Sequence, residues 1–177
     1  RERLPILDDF YATTLAGCGP IHSVLDLACG LNPLAIPWLP LAPDATYAAY
    51  DIYHDMAAFL SAFMRVAGVG GQASVCDILL APPREQADLA LLLKALPCLE
   101  HIDKQAALRL VDAVNARFLL VSFLAHSLSG RSKGMVAAYD AHFSAIIAAR
   151  GWQIERFVFA TELAYLVRKR NASGDAA

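Results

Sequence analysis

The chain has 177 residues, of which 57% are hydrophobic and 18% charged, and its formal net charge is −2 at pH 7. That length suits one domain with a substantial core, and that composition folds rather than staying disordered. No apolar run reaches the roughly 18 residues of a membrane span, "RERLPILDDF" lacks a signal-peptide cleavage pattern, and the near-neutral charge argues against unaided nucleic-acid binding.

In chain order, residues 5–15 read as a helix closed by Gly17, Gly19 and Pro20. "SVLDLA" (23–28) reads as a short apolar strand that breaks into "CGLNP", more than a core-filling strand needs after it. "ATYAAYDI" (45–52) reads as a second strand ending at Asp51. Met56, Phe59, Leu60, Phe63 and Met64 recur at helical spacing, and that face stops at Gly68. "QASVCDI" (72–78) reads as a third strand ending at Asp77. "ADLALLLKAL" (87–96) is continuously apolar, as a strand buried on both faces should be.

A helix is expected from about residue 103 to 115, then the strand "RFLLVSFL" (117–124). The polar loop "SLSGRSKG" leads to a helix with Val136, Tyr139, Phe143 and Ile147 on one side, capped by Gly151. "WQIERFVFA" and "TELAYLVRK" read as two strands with a tight connection, before a disordered tail at 171–177. The result is an α/β fold in one domain, residues 1–170, with a central mostly parallel sheet and a C-terminal antiparallel hairpin. Cys18, Cys29, Cys76 and Cys98 form no CxxC pair, so the protein is expected to be cytoplasmic with reduced thiols. The histidines show no ligand spacing, so no metal is expected, and nothing demands more than a monomer.

Asp26 lies within the first strand, and Asp51 and Asp77 end the second and third. In open α/β sheets, ligands bind beyond the carboxyl ends of the strands, so these carboxylates can aim at one cleft. Gly30 would let a ligand approach the backbone. The competing reading makes the aspartates turn residues and helix caps. "CGLNPL" lacks GxGxxG, and GxxxxGK[ST] is absent from the chain, which excludes the usual dinucleotide and P-loop sites. A nucleoside without phosphates fits better, S-adenosylmethionine being the common one. The terminal hairpin also suits a Rossmann-like class I S-adenosylmethionine-dependent methyltransferase.

"VLDLACGLNPLA", "LLLKALPCLE", "SLSGRSKGM" and "TELAYLVRK" together resemble the 16S rRNA guanine-N7 methyltransferases that confer aminoglycoside resistance by modifying the A-site guanine 1405. The resemblance runs from residue 1 to about 170. It implies S-adenosyl-L-methionine as cofactor and 16S rRNA within the 30S subunit as partner. By the same resemblance Arg3, in an "ERL" segment, binds the methionine carboxylate, and Ala28 and Gly30 line the methionine moiety. Asp51 with Ile52 would hold the ribose, and Asp77 with Ile78 would frame the adenine, with Asp26 beside them. Lys94, Ser122 and Arg131 are the implied catalytic residues, and Arg131, Lys133 and Met135 would face the target nucleotide and the rRNA. Phe123 and Arg131 are candidates to hold a base that has left its stack.

Two features depart from that family. Its members carry a helical N-terminal extension that docks on the 30S subunit, whereas this chain begins just inside the "ERL" segment. His126 stands where a basic arginine is expected, which weakens a phosphate contact or makes it pH-dependent.

Rival readings stay open. Lys94 either meets RNA or pairs with a carboxylate such as Glu100. Cys98 in "LPCLE" is either a small buried residue or the nucleophile of a cytosine-C5 methyltransferase, although Leu96, Leu99 and Glu100 offer a thiolate no support. Arg168, Lys169 and Arg170 read as a solvated end, whereas Arg131 and Lys133 in a Gly/Ser loop favour substrate. A small-molecule methyltransferase would need an inserted lid, which is not visible. A cofactor-binding remnant would bind the nucleoside and transfer nothing.

Overall fold

A computed structural model describes residues 3–125 and 133–169, the side chains of 133–137 excepted. Strands β1 (Ile21–Leu27), β2 (Leu41–Asp51), β3 (Gly70–Val75), β4 (Ala87–Leu93) and β5 (Ala116–Leu124) run parallel. β6 (Gln153–Val158) and β7 (Glu162–Arg168) form the terminal hairpin, and β7 lies antiparallel against β5. The sheet order is β3-β2-β1-β4-β5-β7-β6. Strand order therefore reverses between β1 and β4, the point at which such sheets open a crevice.

Side-chain alternation along the central strands divides the interior in two. Leu89 and Leu91 of β4 join Phe118 and Leu120 of β5 on one face. They meet Phe10 and Tyr11 of α1 (Leu7–Thr14) and Leu60 and Met64 of α2 (His54–Val66). Ala90 and Leu92 look the other way, toward Leu110 of α3 (Leu96–Ala113) and Phe143 and Ile147 of α4 (Lys133–Ala148). Both faces are covered, which is why "LALLL" shows no polar alternation.

Where the elements depart from expectation, local chemistry explains it. β4 stops at Leu93, and Lys94 takes a left-handed backbone (φ +61°) before α3 opens with a proline in its first turn. The predicted helix start at 103 is a real break inside α3. Asp103 is extended (φ −151°, ψ 103°), and its Oδ1 accepts the Ala106 N–H at 2.9 Å, capping the second segment. β3 ends at Val75, so Asp77 lies in the loop beyond the strand rather than at its end. A 3-10 helix at Asn32–Trp38 has no counterpart in the sequence reading, because Pro33 and Pro37 erase any clear period there.

The basic end of β7 is not simply solvated. Arg168 is exposed, but Lys169 is buried. Its ammonium donates to the carbonyls of Val111, Asp112 and Val114, where α3 leaves carbonyls unsatisfied, and sits 4.5 Å from the Trp152 ring centroid. Arg170 and the tail at 171–177 lie outside the described residues. Among the described residues no helix is long and apolar enough to cross a membrane.

Candidate functional site

At the end of β1 the backbone turns left-handed twice, at Ala28 (φ +50°) and Gly30 (φ +52°). A Cβ at Gly30 would meet nothing within 4 Å, so this glycine answers to backbone conformation and faces open space. The turn is pinned to β2, because the Cys29 N–H donates to the Tyr50 carbonyl at 2.9 Å and the Gly30 N–H to Asp51 Oδ2 at 2.8 Å. Beside it, where strand order reverses, lies a cleft of about 500 Å³. Arg3, Ala28, Gly30, Asn32, Trp38 and Lys94 are among its lining residues.

A continuous polar network forms one wall. Asp26 is buried at 1% exposure, and its Oδ2 accepts the Tyr47 hydroxyl at 2.5 Å and the Asn32 side-chain amide at 2.9 Å. Its Oδ1 accepts nothing among the described residues. Burial pushes this carboxyl up to about 7, despite the hydrogen bonds from Tyr47 and Asn32. Asn32 Oδ1 in turn accepts the Tyr11 hydroxyl and Arg3 Nη1, both at 2.6 Å.

Arg3 completes the network. Its Nε and Nη2 donate to the two oxygens of Glu162 at 2.8 and 2.9 Å, a bidentate pair, and its guanidinium lies 4.7 Å from the Phe10 ring centroid. Glu162 is fully buried, and the same carboxylate lies 3.6 Å from Lys94 Nζ. Two cations thus share one buried anion.

The structure sorts the residues singled out from sequence. Arg3, Ala28, Gly30 and Lys94 come together on the cleft, with Asp26 directly beneath. Asp51 ends β2, holds the Gly30 and Ile52 amides and stays half-buried, and Ile52 is 60% exposed beside it. Asp77 is exposed, and its Oδ1 accepts the Leu79 and Leu80 amides at 3.0 and 3.3 Å, the turn-capping geometry of the competing reading. The Ile78 side chain is buried among Leu92 and Leu96, and neither Asp77 nor Ile78 is among the residues lining the cleft.

Other expectations are corrected. Phe123 is 1% exposed and packs against Tyr139, Phe143 and Tyr165 with ring centroids 4.9, 5.6 and 5.9 Å away, so it is a core residue and not an RNA contact. Ser122 is fully buried, its carbonyl accepts the Lys94 N–H, and its hydroxyl has no hydrogen-bond partner among the described residues, so it does not face the open cleft. Glu100 pairs with His142 at 2.8 Å rather than with Lys94, whose carboxylate neighbour is Glu162. Cys98 is exposed on the first turn of α3, not buried, and it does not line the cleft.

Arg131 and His126 lie outside the described residues, as do the side chains of Lys133 and Met135, whose backbones open α4. No group of three or more His, Cys, Asp or Glu among the described residues could hold a metal ion. Sequence reasoning missed Tyr11, Asn32, Tyr47 and Glu162. Glu162, an acid opening the apolar run "ELAYLV", was the visible signal among them.

The family described as ribosomal RNA methyltransferase (FmrO) matches residues 1–166. A 16S rRNA (guanine(1405)-N(7))-methyltransferase of Micromonospora rosea is 40% identical over 169 residues, covering 96% of this chain and 62% of that protein. An enzyme of the same name from Frankia casuarinae is 42% identical over 170 residues, covering 96% and 60%. The crystal structure of the 16S rRNA methyltransferase RmtF in complex with S-adenosyl-L-homocysteine superposes with a TM-score of 0.84 at 34% identity, over 96% of this chain and 64% of that one. The chain thus spans about three fifths of the length of the curated relatives it matches.

Proposed function

The chain belongs to the ribosomal RNA methyltransferase (FmrO) family, and on that premise we propose that it methylates N7 of guanine 1405 in 16S rRNA of the 30S subunit, using S-adenosyl-L-methionine. The product would confer aminoglycoside resistance, and the reaction would take place in the cytoplasm with the ribosomes. The observation that carries this reading is that Arg3 on the cleft and buried Asp26 behind it are joined through Asn32 beside the turn at Ala28–Gly30. An amino-acid head group needs a cation for its carboxylate and an acceptor for its ammonium. Arg3 would supply the first, and the buried Asp26 Oδ1, which has no partner among the described residues, would supply the second. Asp51 at the end of β2 would take the ribose hydroxyls, Ile52 would flank the sugar, and the Asp77–Ile78 backbone would edge the adenine.

Bound there, the cofactor supplies an electrophilic sulfonium methyl. Guanine N7 offers an in-plane lone pair and carries no proton, so the protein has no proton to remove and acts chiefly by holding the reacting atoms in line. A buried catalytic base is therefore not required. Lys94, held beside Glu162 at the end of β4, would steer the target base or its phosphate, and Arg131, Lys133 and Met135 would meet rRNA. The chain is treated as a monomer in this reading.

The test is methyl transfer from labelled S-adenosylmethionine to intact 30S subunits, followed by borohydride and aniline scission. A cut at guanine 1405 is expected. Labelling of another base, or of a small molecule in place of RNA, would sink the assignment.

A further inference from the structure

We propose that Trp38 is the platform on which the extruded target purine stacks, an inference that rests on the guanine-N7 reading above. A base that reacts outside its helix needs an aromatic or apolar face to replace the neighbours it left. Phe123 cannot serve, since it lies in the core. Tyr53 and Phe59 are exposed, at 60% and 54%, but belong to the segment after β2 and do not line the cleft. Among the described residues lining the cleft, Trp38 is the aromatic one.

Its placement suits the task. The indole N–H donates to Asp8 Oδ1 at 2.7 Å, tethering one edge of the ring to α1, while 42% of the residue stays exposed. Pro37 precedes it in the 3-10 helix and stiffens its backbone. Leu4 and Leu31, 67% and 58% exposed, line the same cleft, so it holds apolar groups and the ring together with the cationic Arg3 and Lys94. A planar heterocycle has this duality, with apolar faces and acceptors along its edge.

Charge adds a reason for an indole in particular. The N7 lone pair forms the new carbon–nitrogen bond while sulfur keeps the electron pair of the broken bond. No proton moves at N7, so the positive charge passes to the purine. An indole face attracts a cation, so the stack tightens as the methyl arrives and offsets repulsion from Arg3 and Lys94.

The experiment compares the wild-type chain with Trp38→Leu and Trp38→Phe in methyl transfer to 30S subunits, with calorimetric binding of S-adenosylmethionine alongside. A parallel titration follows Trp38 fluorescence in a Trp152→Phe background, which removes the second of the chain's 2 tryptophans. Its probes are 7-methylguanosine monophosphate and GMP, with S-adenosylhomocysteine present. Trp38→Leu is expected to lose roughly tenfold or more in kcat/KM, with cofactor affinity within about twofold and Trp38→Phe within about threefold of wild type. The methylated nucleotide should quench Trp38 at lower concentration than GMP. Undiminished transfer by Trp38→Leu, or a parallel loss of cofactor affinity, overturns the proposal. If wild type labels no 30S subunit, the guanine 1405 reading fails by itself. Quenching then still supports a stacking platform for another purine substrate, and its absence overturns that as well.

Discussion

Replacing Glu162 with glutamine removes a fully buried negative charge that Arg3 and Lys94 share. Glutamine keeps the shape and one acceptor oxygen, so one of the two hydrogen bonds from Arg3, at 2.8 and 2.9 Å, survives in neutral form. A hydrogen bond to a charged group contributes roughly 1.5–3 kcal/mol, and breaking a buried ion pair outright costs roughly 3–5 kcal/mol. Retaining one acceptor puts the expected loss at about 2–3 kcal/mol. With a urea slope of roughly 2 kcal/mol per molar, the unfolding midpoint should fall by about 1–1.5 M. Arg3 would then hold the cofactor carboxylate less firmly, and the dissociation constant should rise about tenfold, equivalent to about 1.4 kcal/mol. In a cycle with Arg3→Met, the two changes should couple by at least about 1 kcal/mol, because each removes the other's partner. A midpoint within about 0.2 M of wild type, with unchanged cofactor affinity, would refute the idea that this pair builds the carboxylate site.

Three further outcomes follow from the same geometry. Burial raises the Asp26 carboxyl from 3.8 to about 7, so the unfolded chain releases this proton first. The ligand-free protein should accordingly lose stability, by up to about 4 kcal/mol, as pH rises from about 4 to 7. Urea unfolding across that range should show this slope in wild type and not in Asp26→Asn, while cofactor affinity should strengthen as pH rises through 7. Phe123→Ala should cost about 3–5 kcal/mol in unfolding free energy by emptying an aromatic cluster, whereas Phe123→Leu should fold and still label 30S subunits. Selective loss of RNA affinity in the leucine variant would restore Phe123 to the substrate. Cys98→Ala should transfer methyl groups within about twofold of wild type, and abolished transfer would mean that the exposed thiol is a nucleophile after all.

The sequence made the parallel strands and the cleft beside Gly30 legible because both depend on short-range patterns. An apolar run followed by a small-residue turn marks a strand end, and the strand order of an α/β sheet then says where a ligand sits. Asp26, Asp51 and Gly30 follow from that logic. Phe123 did not, because a strand buried on both faces shows no alternation from which to tell core from cleft. Lys169 misled for a related reason: a basic run beside an exposed arginine gives no sign that one ammonium turns inward to the end of α3. Trp38 was hidden by the prolines of its 3-10 helix, which leave no helical face to read.

The Arg3–Glu162 pair was illegible for a deeper reason, since 159 residues separate its members and only topology joins them. Parallel strands deliver their last residues to the carboxyl edge of the sheet, where the cleft lies. β7 runs the other way, so its first residue arrives there, with Glu162 opposite Leu124 at the end of β5. The reversed strand therefore lets an acid at its beginning reach the residues that end β4 and precede α1. Inverting or removing β7 would take from Arg3 and Lys94 the buried anion that they share. In this chain the antiparallel hairpin thus builds the cleft as well as closing the sheet.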